Sequence, residues 1–223
     1  MASVGCVALL VLTIIANAAQ TSQTEVCPHK KGMTDVIRNI TLELHNSYRS
    51  DLALGKVKNH DGSLLPQAGA MMQMHYLCEL EDIAYNEASN CPTSEIPREV
   101  VGPLEEENFA MIPMTNASHA KNAIKQAIRK WWSAVQTDPT SYDRQFHVME
   151  RHTNSPLMSF IRMAWHETWG IGCGVKKCDD HYTIICRYRW GITLNTPLYW
   201  QGAPCSECWD KDTCNPSIGL CLE

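Results

Sequence analysis

Ile171-Gly172-Cys173-Gly174-Val175 and Tyr182-Thr183-Ile184-Ile185-Cys186, separated by the polar stretch 176–180, decide the fold class. Both runs are short, apolar and rich in β-branched residues, and the turn-forming residues between them make them two strands of a hairpin. The chain before them reads differently. Apolar positions recur every three to four residues in 35–52 (Ile37, Ile40, Leu44, Tyr48, Leu52), in 71–91 (Met74, Leu77, Leu80, Ile83, Ala84, Ala88) and in 120–135 (Ile124, Ile128, Trp131, Val135), which is helical spacing. Gly55, Asn90-Cys91-Pro92 and Asp138-Pro139 close these three, and 157–165 fits a further short helix. Helices combined with an antiparallel hairpin predict an α+β protein whose strands are buried between helical layers. At 100° per residue along the first helix, Asn39 points away from the apolar stripe and His45 lies at its edge.

The first stretch has another character. Residues 1–18 carry no charge, run apolar from Val7 to Ile15 and end in Ala16-Asn17-Ala18, a small-x-small cleavage pattern, so a secretory signal peptide is expected there. The apolar run is too short for the roughly 20 residues of a membrane span, and no later segment comes near that length. Cys6 would leave with the signal. The ten other cysteines, Cys27, Cys78, Cys91, Cys173, Cys178, Cys186, Cys205, Cys208, Cys214 and Cys221, form an even set that suits five disulfides, with connectivity open from sequence alone. Asn39-Ile40-Thr41 and Asn116-Ala117-Ser118 are glycosylation sequons. The net charge of −5 argues against nucleic acid as a partner.

Residues 19–196 are expected to form the main domain and 197–223 a small disulfide-rich extension, because Cys205, Cys208, Cys214 and Cys221 crowd together there with Pro, Gly and Asp between them. Four such cysteines could also suggest a thiolate zinc site, but in an oxidising compartment disulfides are the default. The methionines read as core filler. Trp131, Trp132, Trp165, Trp169 and Trp190 read as core and cleft lining, with Trp200 exposed.

Three ordered blocks then carry a resemblance: His45-Asn46-Ser47-Tyr48-Arg49, Glu107-Asn108, and Met163-Ala164-Trp165 followed by Ile171 to Val175, with Cys186-Arg187-Tyr188 beyond. Together they resemble the superfamily of cysteine-rich secretory proteins, antigen 5 and pathogenesis-related proteins. With Cys27, Cys78 and the cysteine-rich tail, the chain looks most like the activation-associated secreted (venom allergen-like) proteins of parasitic nematodes. The resemblance implies a three-layer α/β/α sandwich with a central antiparallel sheet and a large open cleft. It also implies the pairs Cys91–Cys178, Cys173–Cys186 and Cys27–Cys78, with two bridges in the tail.

Many members of that superfamily hold two His and two Glu in the cleft, suited to a divalent metal. By the resemblance His45 and Glu107 are retained here, while Ala134 stands where the other Glu would be and Ser159 where the other His would be. No cofactor is therefore expected and zinc is disfavoured, unless His147 or His152 swings in. His45, Glu107 and Ser159 could instead make a Ser-His-Glu hydrolase, although no Gly-x-Ser-x-Gly elbow accompanies them. The favoured arrangement is a His45–Glu107 hydrogen bond tying the first helix to a neighbouring loop, with Arg49 in the same network. The expected function is a secreted, non-enzymatic protein that binds an extracellular protein or a small ligand, by resemblance in host–parasite interaction and immune modulation. A sterol or fatty-acid carrier using the loop 136–156 is the alternative, and a weak hydrolase the third reading. Whether the protein is a homodimer is open.

Overall fold

Thr34 starts the first helix: its side chain accepts the amide of Ile37 at 3.3 Å, one of the donors a helix N-terminus leaves without a partner. Helix α1 runs Asp35–Ala53 and is followed by Gly55 at φ 69°, a left-handed turn suited to glycine. A computed structural model describes residues 27, 32–97, 104–139, 146–210 and 213–222. The expected signal peptide lies outside them.

The segment expected as one long second helix divides. Strand β1 (His75–Tyr76) comes first, and α2 begins only at Cys78, running Cys78–Ser89. Strand β2 (Glu105–Pro113) follows, then α3 (Ala120–Thr137), the short β3 (His147–Val148), α4 (Glu150–Thr153) and α5 (Leu157–Ala164). The hairpin is β4 (Gly170–Lys177) and β5 (His181–Arg189), and the chain continues through β6 (Thr196–Pro197), β7 (Cys214–Asn215) and β8 (Leu220–Cys221). The main sheet has the order β1-β4-β5-β2. It is antiparallel except that β1 runs parallel to β4, and β2 faces β5 over its whole length, Glu105 opposite Arg189 and Pro113 opposite His181. Helix α2 covers one face, and α1, α3 and α5 cover the other, giving three layers.

The glycines of the deciding stretch set the spacing of two layers. A β-carbon added at Gly172 would collide with the backbone of Glu81, and one at Gly174 with the backbone of Tyr85, so α2 lies directly on β4. Ala84 and Ala88, fully buried on α2, complete this close contact. On the far face the core is bulkier: Tyr48 stacks on Trp132 with centroids 4.9 Å apart, and Phe160 meets Trp132 edge-on at 4.7 Å.

Disulfides join Cys27–Cys78, Cys91–Cys178, Cys173–Cys186, Cys205–Cys214 and Cys208–Cys221. Each is worth typically ~2–4 kcal/mol through restriction of the unfolded chain. The tail is stitched to the body: Cys221 donates its amide to Met71 O at 2.8 Å and accepts from Gln73 N at 2.9 Å, while Leu220 is buried in the main core. Among the described residues no helix is long and apolar enough to cross a membrane.

Candidate functional site

Along α1 the buried residues are Ile37, Arg38, Thr41, His45, Arg49, Leu52 and Ala53, so the inward face is turned from the apolar stripe toward polar side chains. His45 therefore stands in the middle of the interface, fully buried, rather than at its edge. Such groups are tolerated only with partners. His45 has Nδ1 2.8 Å from Thr41 O and Nε2 3.1 Å from Tyr188 Oη. Because the carbonyl can only accept, the proton is assigned to Nδ1, and Tyr188 donates to Nε2. Tyr188 Oη in turn accepts from Asn108 Nδ2 at 3.1 Å, which also reaches Ser159 O at 2.9 Å. Burial, aided by the charge of Arg49, lowers the His45 pKa to about 4, leaving a neutral ring at pH 7 with both nitrogens engaged.

Arg49, one turn further, is also sealed from solvent and meets no carboxylate among the described residues. Its guanidinium donates to five backbone carbonyls: Met72 from Nε at 2.9 Å and Nη2 at 2.8 Å, Met163 at 2.9 Å, Trp165 at 2.8 Å, His166 at 3.1 Å and Thr168 at 3.0 Å. Burial lowers its pKa to about 9, so it remains charged at neutral pH. It fastens α1 to the segment before β1 and to the turn between α5 and β4.

Glu107 belongs to the other face of the sheet. Successive strand residues point in opposite directions, so Glu106 and Asn108 look toward α5 and Glu107 toward α2. There its Oε2 lies 2.8 Å from Arg187 Nε, and Arg187 also pairs with Glu87 of α2 and, at 3.5 Å, with Glu105. Neither Glu107 oxygen receives a well-directed hydrogen bond from the described residues. Burial first, and then the neighbouring Glu87 carboxyl, raise its pKa to about 8 against the pull of Arg187.

The expected His45–Glu107 hydrogen bond is thus not formed, and Arg49 serves a different network. The period-two alternation of β2 is the reason. Ser159 does not meet His45 either: its hydroxyl donates to Pro156 O at 2.8 Å, with Trp131 O at 3.2 Å. His45, Glu107 and Ser159 therefore assemble neither a nucleophile with its base nor a set of metal ligands. His152 accepts the Met149 amide at 2.9 Å, capping α4, and His147 lies in β3 opposite Pro197; neither lines the cleft. Cys205, Cys208 and Cys214 bring their sulfurs within 4.8 Å of one another, but each is in a disulfide, and the residues do not fit a thiolate metal site.

The open cleft has a volume of about 850 Å³. Ser159, Ala134, Trp131 and Asn108 line it beside the charged Glu95, Lys130, Glu150 and Arg162. Arg162 is the group that sequence reasoning missed. It lies one helical turn after Ser159, pairs with Glu106 at 3.3 Å and Glu95 at 2.5 Å, and reaches Asn108 Oδ1 at 3.3 Å. The spacing from Ser159 and the acidic start of β2 were the available signals. Trp190 and Trp200 are about half exposed, so Trp190 is not core. Asn39 and Asn116 are exposed, as sites for glycans require.

Comparison with known proteins agrees with this architecture. The Ancylostoma secreted protein of Ancylostoma caninum is 31% identical over 205 residues, covering 87% of this chain, which spans only 46% of that protein's length. Hookworm platelet inhibitor 1 of the same species is 27% identical, over 91% of this chain and 88% of its own. The crystal structure of NaASP2 with Zn2+ superposes with a TM-score of 0.78 at 28% identity, covering 87% of this chain and 99% of that one. The CAP family, described as the cysteine-rich secretory protein family, matches residues 42–188, and the chain belongs to it.

Proposed function

We propose that this protein is a secreted, extracellular binding protein that engages a host protein through its open cleft, without catalysing a reaction. The observation that carries the reading is the cleft itself: about 850 Å³, open, and walled by charged and polar groups, while the residues that could have made a catalytic or metal centre are dispersed over two faces of the sheet. A carrier of sterols or fatty acids calls for predominantly apolar walls, and Glu95, Lys130, Glu150 and Arg162 disfavour it. The family and the secreted relatives support an extracellular setting.

The test is affinity capture from host serum with the mature, glycosylated chain and with Ser133→Trp, which fills the cleft from the exposed side of α3. A partner retained by the first and lost by the second is expected. Capture that is indifferent to Ser133→Trp would refute the cleft as the binding surface.

A further inference from the structure

We propose that Arg162 forms an anion subsite at the floor of the cleft that takes a carboxylate group of the ligand, and that Glu95 occupies this subsite as a displaceable internal competitor. The proposal rests on the binding reading above and names the chemistry of the ligand.

The two acids around Arg162 are not equivalent. Glu106 is built in: its side chain is 1% exposed, Oε2 lies 3.3 Å from Arg162 Nε, and Oε1 accepts the Ile192 amide at 3.2 Å. That carboxylate balances the guanidinium charge permanently. Glu95 comes from the segment after α2, is 43% exposed, and meets Nη1 at 2.5 Å. Nη1 is shared with Asn108 Oδ1 at 3.3 Å, and Nη2 donates no hydrogen bond among the described residues. The Nη1–Nη2 edge, which grips a carboxylate through two parallel bonds when fully used, is thus half occupied by an acid in excess of the local positive charge.

An ion pair with one end in water is weak, and as a competitor it lowers another ligand's affinity by less than about fivefold. A ligand carboxylate that used both nitrogens would displace Glu95 without disturbing Glu106. Lys130 and Glu150 on the walls offset one another and Glu106 balances Arg162, so what the floor offers a carboxylate is the hydrogen-bonding edge of Arg162 and not an excess of positive charge.

The experiment titrates the full folded chain and its Glu95→Gln variant with succinate and, as a neutral control, succinamide, followed by calorimetry and by the Arg Nε–Hε signals in NMR. Glu95→Gln should bind succinate about three- to fivefold more tightly than the wild type, and neither chain should bind succinamide. Equal succinate affinity in both chains, or succinamide binding as well as succinate, overturns the proposal. Inorganic phosphate binding more tightly than succinate overturns the carboxylate assignment. Arg162→Gln should abolish binding; if it does not fold, the Glu95→Gln comparison decides alone. The anion site and the binding reading fail separately, because capture of a partner that Ser133→Trp abolishes stands whatever succinate does.

Discussion

Replacing Arg49 by leucine removes the clasp between α1, the segment before β1 and the turn after α5. The side chain is completely buried and makes six N–H···O contacts with five carbonyls. An orphaned buried acceptor costs about 1–3 kcal/mol. Trp165 O and His166 O keep the amides of Thr168 and Met72, so the three that depend on Arg49, those of Met72, Met163 and Thr168, amount at the low end of that range to roughly 3 kcal/mol, a large share of the stability of a marginal domain. Water entering the vacated polar space would recover part of this, so the expected loss is about 2 kcal/mol or more. Arg49→Lys keeps the charge and three donors but not the planar fork, and should fall between the two. The assay is urea unfolding of the secreted chain with its disulfides intact, read by far-UV circular dichroism, with secretion yield as a second measure. If Arg49→Leu unfolds within about 1 kcal/mol of wild type, the carbonyl clasp is not what holds these segments, and the reasoning from hydrogen bonds fails.

Glu107→Gln tests the buried carboxyl. A carboxyl raised from 4.5 to about 8 in the fold keeps its proton where the unfolded chain has lost it. Its contribution is therefore present below pH 4.5 and lost progressively as pH rises to about 8. The stability difference between wild type and Glu107→Gln should change across that window by an amount on the order of 5 kcal/mol. Taking the difference is essential, because His45 and His166, each lowered to about 4 chiefly by burial, make stability rise with pH between about 4 and 6.5 in both chains. A flat difference curve would remove Glu107 from the account. Gly172→Ala should destabilise the fold by roughly 2–3 kcal/mol by forcing α2 off β4, measured in the same unfolding experiment; a neutral effect would show that the layers can yield.

The deciding hairpin, three of the helices and the layered class were legible because their periodicities are clean. Strand β2 was not, because its first three residues are Glu105, Glu106 and Glu107, and charge there hid the strand whose alternation later separated Glu107 from His45. The inward face of α1 was misread for a related reason. An apolar stripe locates the buried side only when apolar residues fill it, and here Arg38, Thr41, His45 and Arg49 are buried with partners that lie as far away in sequence as Glu81 and Tyr188. The same distance hid Arg162 and Glu95, whose meeting depends on how α5 and the segment after α2 are brought together.

The pairing of Cys221 with Met71 and Gln73 also fixes an order of events in biosynthesis. Contacts between partners so far apart in sequence raise contact order and slow folding. The segment 68–73, which Arg49 grips from one side, cannot be secured from the other until residue 221 has emerged and the hairpin of β7 and β8 has found its bridges. Until then Leu220 leaves a gap in the main core, and the unfinished chain offers apolar surface to chaperones in the compartment where its cysteines are oxidised.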